Sequence, residues 1–253
     1  MHLYFPAERF GQISGMPETA ENLAHEFEVS RAEADLFAAR SHQRAAAAWA
    51  DGRFAHEVAP IEVPQKKGPP LMCSRDEGIR DDCTPESLGK LRPLFAKGTV
   101  TAGNASQQND AAAACLIVAE DCLADLNLEP MGYLVGWAAS GCHPASMGIG
   151  PVPAVRKLMT RIGLSIDRMD LVELNEAFAV QVLAVLKAWE WADHARLNVN
   201  GGGISLGHPI GATGVRILAT LLHELRRRRA RFGLETMCIG GGQGLAAVFE
   251  RAE

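Results

Sequence analysis

The sequence lacks the features that mark secreted, metal-binding and membrane proteins. Its cysteines form no CxxC pair, and no histidine cluster at metal-ligand spacing accompanies them. Residues 1–6 have neither the basic start nor the apolar core of a signal peptide. No run approaches the roughly 20 apolar residues that a membrane span needs. These absences predict free thiols in a reducing cytoplasm, no bound metal and no membrane partner.

The sequence also has no excess of positive charge. Its formal net charge of -5 gives no indication of a nucleic-acid partner. The one strong basic run, 226–229 with Arg231, is expected to close a helix, where cations interact favourably with the helix dipole. Attraction of phosphorylated ligands is the alternative. The 253 residues, 47% of them hydrophobic, are typical of a globular protein with one large domain or two small ones.

The first hundred residues indicate helices with irregular connections. Ser30 followed by Glu33 forms a capping box, and the alanine-rich stretch 31–50 continues from it as a helix. Residues 61–63 alternate like a short strand. A loop rich in lysine, glycine and proline follows at 66–70, and Thr84 with Pro85 begins another helix.

From about residue 110 the pattern changes to apolar runs alternating with amphipathic helices. The sequence predicts strands at 112–118, 133–138, 171–174, 197–199, 235–239 and 245–249. It predicts helices near 152–162, from 176 to about 189, and from 213 to 228. Such alternation favours a layered α/β fold with a mixed sheet. The last two runs are too close for a crossover helix, so an antiparallel hairpin is expected.

Three segments that follow predicted strands carry groups capable of chemistry. In open α/β sheets, ligands collect outside the carboxyl ends of strands. The first segment, 171–179, contains Asn175 at an expected helix N-cap. Capping alone explains an asparagine there.

The second segment, 198–214, is dense in glycine, which permits close backbone approach. It does not give the GxGxxG pattern that follows a strand and leads into its helix, so it does not predict nicotinamide binding. His208 stands between glycine and proline in a rigid turn that can aim its ring, although a histidine in such a turn is often only structural.

The third segment, 235–244, places Cys238 at the end of an apolar strand, before three glycines. A buried, inert cysteine is the plain interpretation. The alternative is that the bare N–H groups after Cys238 bind an oxyanion.

Taken together, the three segments resemble the thiolase family, through the NEAFA, GHPIGATG and CxGGGxG motifs in the same order. The resemblance covers essentially the whole chain. Residues 16–24 are similar to the start of the thiolase loop domain, residues 91–106 to the segment that closes it, and residues 147–151 to a turn lining the acyl pocket. Ketoacyl synthases, which are related, lack the late cysteine–glycine element.

The resemblance implies an α/β thiolase-like fold with three parts. These are a mostly helical loop domain at 1–108, a remnant of the N-terminal domain at 109–129, and a complete C-terminal domain of βαβαβαββ type at 130–253.

It also implies condensation of two acyl-CoA molecules, such as acetyl-CoA, to a 3-ketoacyl-CoA, or the reverse thiolysis. Cys238 would then be the acid/base, and a nearby histidine would lower its pKa. His208 would activate the nucleophilic cysteine and help bind the enolate oxygen, Asn175 would hold a water in that oxyanion site, and the Gly240 N–H would serve a second one. Ser106 would lie along the pantetheine arm of CoA and Met147 near the acyl group.

None of the six cysteines matches the family's nucleophile motif, which lies upstream of the segment resembling residues 16–24. We therefore expect the nucleophile to be missing from this chain. A catalytically inactive CoA-binding or interaction module that pairs with a full-length thiolase is one alternative, and a thioesterase using Cys238 is another. Coenzyme A and acyl-CoA would be substrates, with no permanently bound cofactor. Homo-oligomers, dimers or tetramers, are expected by resemblance.

Overall fold

A computed structural model describes residues 15–191 and 193–253, and the predicted absence of a signal sequence at 1–6 lies outside these residues. The α-helices are α1 (Met16–Glu26), α2 (Arg31–Ala50), α3 (Pro85–Gly89), α4 (Leu123–Leu126), α5 (Pro151–Ile162), α6 (Ala179–Ala188), α7 (Gly203–Leu206) and α8 (Thr213–Arg228). Short 3-10 helices span Arg53–His56, Glu120–Cys122, Pro144–Ile149 and Ile166–Arg168. Within the described residues, no helix is both long and apolar enough to cross a membrane.

The strands of the described residues form two sheets. They are β1 (Ile61–Val63), β2 (Leu71–Cys73), β3 (Gly132–Gly141), β4 (Leu171–Leu174), β5 (Phe232–Ile239) and β6 (Gln243–Arg251). β1 and β2 form an antiparallel pair, and the larger sheet has the order β3-β6-β5-β4. In it, β4 runs parallel to β5, and β6 runs antiparallel to both of its neighbours. The predicted mixed sheet and the terminal hairpin are therefore confirmed.

Local capping explains where the predicted helices begin. The Ser30 side chain accepts a hydrogen bond from the Glu33 amide, and the Glu33 carboxylate accepts one from the Ser30 amide, so both halves of the capping box of α2 are present. Thr84 caps α3 in the same way, with Pro85 at its first position. The basic run ends α8, as predicted.

Two predicted strands are absent from the structure. Residues 112–118 have no regular secondary structure, and their apolar side chains are mostly exposed. Apolar composition alone indicated a strand there, but within the described residues no neighbouring strand pairs with this run. Residues 197–199 contribute only isolated bridges, one of them between Leu197 and Val172, because the chain turns at Asn198, whose φ is 42°.

Helices cover both faces of the larger sheet. On one face, Leu158 of α5 and Val185 of α6 pack in one core cluster with Leu234 of β5. On the other face, Leu221 and Leu225 of α8 pack with Leu171 of β4. This layering brings the carboxyl ends of β4 and β5 together at one edge of the sheet, where both strands lead into the segments with candidate side chains.

Candidate active site

Asn175 follows β4 directly and is held against β5. It is buried, and its amide donates a hydrogen bond of 3.0 Å to the carbonyl of Thr236. The predicted capping role for Asn175 is wrong. α6 begins only at Ala179, after Phe178, and no side chain caps it. Residues 175–178 form a link between strand and helix, so the Asn175 carboxamide does not cap the helix.

His208 lies in the turn between α7 and α8. Gly207 before it has φ of 93°, a conformation that favours glycine. The His208 amide donates to the carbonyl of Gln107, and its ring Nδ1 lies 2.7 Å from the Thr213 hydroxyl. That hydroxyl also lies 3.1 Å from the Pro209 carbonyl, which can only accept its proton. We therefore assign the proton to Nδ1, which leaves a lone pair on Nε2.

The electrostatic surroundings of His208 favour the neutral ring. Burial lowers the pKa of His208, and the positive charge of Arg216 lowers it further. A neutral imidazole with an unprotonated Nε2 can accept a proton near pH 7.

Asn175, which follows β4, and His208, which follows the short helix α7, are in contact. The Asn175 Nδ2 lies 3.4 Å from Nε2 of His208. The other carboxamide atom, Oδ1, is buried and has no hydrogen-bond partner among the described residues. Gly203 approaches this oxygen so closely that a β-carbon there would lie 3.1 Å from it. The free oxygen can accept a hydrogen bond from a water or a ligand.

Cys238 lies near the end of β5, opposite Gly244 of β6, and is half-buried. Burial raises the pKa of its thiol to about 12, and the nearby Cys142 thiol adds to the rise. The expectation that a histidine lowers this pKa is therefore wrong, because loss of hydration outweighs any stabilisation of the thiolate. Within the described residues, no hydrogen bond joins this thiol to His208 or Asn175.

Gly240 opens the turn between β5 and β6. It is exposed, and a β-carbon built on it would meet nothing within 4 Å. Its carbonyl accepts a hydrogen bond from the Gln243 side chain. The absence of a side chain at this exposed turn fits the predicted role of the Gly240 N–H as an oxyanion donor.

The two predicted contacts for the bound acyl-CoA lie on different elements. The Ser106 amide donates a hydrogen bond of 2.9 Å to the carbonyl of Ala177, in the link after β4. The residue after Ser106, Gln107, is the one whose carbonyl accepts from the His208 amide. Met147, in the 3-10 helix Pro144–Ile149, is buried, and its carbonyl lies 3.7 Å from the Cys142 sulfur. Ser106 thus adjoins the Asn175 side of the edge and Met147 the Cys238 side.

Sequence reasoning missed a buried hydrogen-bond network beside Asn175. Glu176 accepts hydrogen bonds from Ser41 on α2, from Asn198 and from the amide of Ile204. Burial raises the pKa of Glu176, and these hydrogen bonds oppose the rise. A charged residue in an otherwise apolar strand-to-helix junction was the available signal, but its partners are 22–135 residues away in the sequence.

An open depression of about 430 Å³ adjoins His208, lined by residues 109–113 and 209–212. Its lining does not include Asn175 or Cys238. Within the described part of the chain, no group of three or more His, Cys, Asp or Glu side chains could hold a metal ion. The groups of the candidate site that can take part in chemistry are the imidazole, the carboxamide, the thiol and backbone amides.

Comparison with known families gives two matches, which together span nearly the whole chain. Residues 9–121 match the model for the thiolase N-terminal domain, and residues 128–251 match that for the thiolase C-terminal domain. The acetyl-CoA acetyltransferase of Chromobacterium violaceum is 52% identical over 234 residues, covering 92% of this chain and 59% of that protein. The β-ketoadipyl-CoA thiolase of Pseudomonas putida is 49% identical, covering 94% of this chain and 60% of that protein.

Solved structures agree with these matches. The crystal structure of the Bacillus anthracis acetyl-CoA acetyltransferase aligns with a TM-score of 0.89 at 42% identity, and the alignment covers 94% of this chain. Human mitochondrial 3-ketoacyl-CoA thiolase in complex with CoA aligns with a TM-score of 0.86 at 47% identity, again over 94% of this chain. The chain spans about 60% of the length of each relative that it matches.

Proposed function

Because the chain belongs to the thiolase family, we propose that it carries the enolate-forming part of an acyl-CoA C-acyltransferase site. The complete reaction would condense two acyl-CoA molecules, such as acetyl-CoA, to a 3-ketoacyl-CoA, or run in reverse as thiolysis. The observation that carries this proposal is the 3.4 Å contact between Asn175 and His208 at the sheet edge that adjoins β5 and its Cys238.

Cys238 would exchange a proton with the α-carbon of the bound thioester. A thioester α-proton is weakly acidic, so its removal needs a base at the carbon and stabilisation of the enolate oxygen. The raised pKa keeps the resting thiol protonated. That is the form that thiolysis requires, because there the thiol gives its proton to the departing enolate carbon. Condensation requires the thiolate.

His208 and Asn175 would act on the oxygen of the same thioester. The lone pair on Nε2 can accept a proton from a nucleophilic thiol, and the resulting imidazolium can then donate a hydrogen bond to the enolate oxygen. The Oδ1 of Asn175, which lacks a partner in the described part of the chain, can hold a water that donates to that oxygen. The Gly240 N–H would serve the second oxyanion site.

The acyl-accepting nucleophile is not assigned to any of the six cysteines. Cys238 has the acid/base role, and Cys142, whose thiol pKa is raised by burial, does not match the family's nucleophile motif. Ser106 and Met147 would contact the pantetheine arm and the acyl group. The proposed domains of the chain are the loop domain at 1–108, a remnant of the N-terminal domain at 109–129 and the C-terminal domain at 130–253. The protein would form homo-oligomers and act in the cytoplasm.

Exchange of the acetyl-CoA α-hydrogens with D₂O tests this function without needing the nucleophile. We expect the 253-residue chain to catalyse exchange at high acetyl-CoA concentration, since a base and an oxyanion site are sufficient for that step. We expect Cys238→Ser to lower the rate by about 10²- to 10⁴-fold, the usual loss for a general base. Mass spectrometry of recovered acetyl-CoA measures both rates.

Cys115→Ser is the matched control, because Cys115 is exposed and lies outside the regular elements. It should exchange like the wild type. We expect no turnover of acetoacetyl-CoA by this chain alone. CoA binding without any exchange would support the inactive binding module instead, and an acyl adduct on Cys238 would support the thioesterase alternative.

A further inference from the structure

We propose that Ser41, on helix α2, is a positioning residue for the candidate active site, acting through Glu176 on the carboxamide of Asn175. The inference rests on the proposed function for its kinetic consequence. Its structural part concerns residues of this chain alone. It makes a helix from the amino-terminal part of the chain a component of a site that otherwise consists of strand ends and glycine-rich turns.

Ser41 reaches Glu176 across the boundary between α2 and the strand-to-helix link. The Ser41 hydroxyl lies 2.6 Å from Oε2 of Glu176, and both side chains are buried. The same hydroxyl lies 2.8 Å from that of Ser205 on α7. One hydroxyl therefore contacts two different segments of the site.

The hydrogen bonds around Ser41 form a connected chain. The Gly202 amide donates to the Ser205 hydroxyl at 3.2 Å. A carboxylate only accepts, so the Ser41 hydroxyl donates to Glu176, and its oxygen can accept from the Ser205 hydroxyl, which also lies 3.3 Å from the Gly202 carbonyl. Removing the Ser41 hydroxyl would leave Glu176 short of a donor in a buried environment, where unsatisfied groups are costly.

Glu176 is fixed on its other side by Asn198. The Nδ2 of Asn198 donates 2.9 Å to Oε1 of Glu176 and 2.8 Å to the carbonyl of Leu174, while its Oδ1 accepts from the Leu174 amide. The residues before and after Asn175 are thus both held by Asn198. Ser41 bonds the other carboxylate oxygen of Glu176, Oε2.

Space around the network is too small for the Glu176 carboxylate to move without consequence. A β-carbon on Gly202 would lie 2.6 Å from both of its oxygens, and one on Gly203 would lie 2.8 Å from the Glu176 carbonyl and 3.1 Å from Oδ1 of Asn175. Gly202 and Gly203 thus pack directly against Glu176 and the Asn175 side chain, and we expect a shift of Glu176 to be passed on to Asn175 beside it. The expected result is a carboxamide that no longer faces His208 correctly.

The test compares Ser41→Ala, Glu176→Gln and the double variant in the full chain. The measurement is acetyl-CoA α-hydrogen exchange, with kcat and KM determined separately. Each single variant should lower kcat about tenfold and change KM less than twofold. The double variant should be no slower than the slower single, because residues that act as one unit are non-additive. Independent, multiplying effects would overturn the proposal.

Ser30→Ala is the matched control. It removes the N-cap of the same helix, which typically costs about 1 kcal/mol, but Ser30 does not contact Glu176. This variant should unfold at a lower temperature and keep the wild-type exchange rate. If it slows exchange as much as Ser41→Ala does, helix stability explains the effect and the positioning role is wrong.

A second measurement does not depend on activity. The side-chain amide resonance of Asn175 in a ¹⁵N–¹H NMR spectrum, assigned by its loss in Asn175→Asp, should shift or broaden in Ser41→Ala and stay unchanged in Ser30→Ala. An unperturbed resonance in Ser41→Ala would overturn the inference. Absence of exchange in the wild-type chain would instead count against the proposed function, and the NMR result would still decide the role of Ser41.

Discussion

At the residue scale, the assigned tautomer of His208 depends on a single hydroxyl. The Thr213 Oγ1 is the partner of the ring Nδ1 and itself contacts the Pro209 carbonyl. Thr213 also begins α8, so the rigid helix fixes the position of the hydroxyl. The direction of the imidazole is therefore set by an element that does not carry His208.

Thr213→Val should remove the hydrogen bond that selects the His208 tautomer, with little change of side-chain volume. We expect ¹⁵N shifts of the His208 ring to show the Nδ1-protonated form in the wild type and a mixture of tautomers in the variant, since Nδ1 loses its acceptor. Stability should fall by about 1 kcal/mol for the lost hydrogen bond. Thr160→Val is the control and should leave the ring shifts unchanged, because Thr160 is an exposed residue of α5 whose hydroxyl donates to the Arg156 carbonyl one turn back. A wild-type ring protonated on Nε2 would show the assignment to be wrong.

The high pKa of Cys238 predicts the pH dependence of proton removal. Since the pKa is about 12 and the thiolate is the base, the exchange rate should rise about tenfold per pH unit from pH 7 to 9. The measurement is the initial rate of deuterium incorporation at saturating acetyl-CoA. A plateau below pH 9 would mean that another group, or a thiol with a much lower pKa, removes the proton.

Single residues were predicted unevenly from the sequence. Motif order located Asn175 and His208 correctly as neighbours, because both stand where the chain leaves a buried element. The capping role of Asn175 and the low pKa of Cys238 were wrong. The capping role depends on where helix α6 begins, and the thiol pKa depends on burial by distant segments. Neither is a local property of the sequence.

At the element scale, α8 covers a face of the sheet that carries buried acids. Glu173 of β4 and Glu235 of β5 are register partners on this face. Burial raises the pKa of Glu173 well above its usual range, that of Glu235 to about 8 and that of Glu57 to about 7. The positive charge of Arg216, on α8, opposes all three shifts. The fold therefore contains carboxyl groups that remain protonated to unusually high pH.

These carboxyl groups should make the protein less stable as pH rises. A carboxyl group whose pKa is higher in the folded than in the unfolded state adds to the free energy of unfolding. This contribution is fully present below the unfolded-state pKa of about 4.5 and is lost as the pH rises to the folded-state pKa. For Glu235 the loss should extend to about pH 8. We expect urea unfolding to show a free energy that declines between pH 5 and 8 by a few kcal/mol.

Glu235→Gln should flatten that decline, because glutamine keeps the shape and cannot ionise. Glu250→Gln is the control, since Glu250 forms a surface ion pair with Arg231 and should leave the slope almost unchanged. An unchanged slope in Glu235→Gln would show that this group does not ionise with the proposed pKa.

Elements with strong local signals were predicted well. The helix α2, the strand β4 and the helix α8 occur where capping, apolar runs and periodicity place them. The strands predicted at 112–118 and 197–199 were wrong for different reasons. Residues 112–118 have no neighbouring strand in the described part of the chain, which apolar composition does not reveal. Residues 197–199 do meet β4, but the chain turns at Asn198.

At the scale of the whole molecule, the chain exposes an apolar edge. In the described residues β3 has one paired neighbour, β6. Two of its large apolar side chains, Leu134 and Trp137, are 55% and 54% exposed. Ile117 is 89% exposed. Unpaired apolar edge strands favour association. The likeness to the thiolase family could be predicted from the motifs. The exposure of β3 could not, because it depends on which faces the neighbouring elements leave uncovered.

We expect this edge to drive self-association of the purified chain. Sedimentation velocity should show oligomers that increase with concentration, and Trp137→Glu should shift the distribution toward monomer. Lys90→Glu changes charge at an exposed position outside β3 and is the control. A monomer at all concentrations, or oligomers that persist in Trp137→Glu, would contradict a role for this edge.

The hydrogen bond between Ser41 and Glu176 also constrains how family members can be recombined. It joins sites 135 residues apart in the sequence. A chimera whose crossover point separates them would combine a helix from one parent with a strand-to-helix link from another. Such hybrids should fold yet lose catalytic competence unless the two segments are inherited from the same parent.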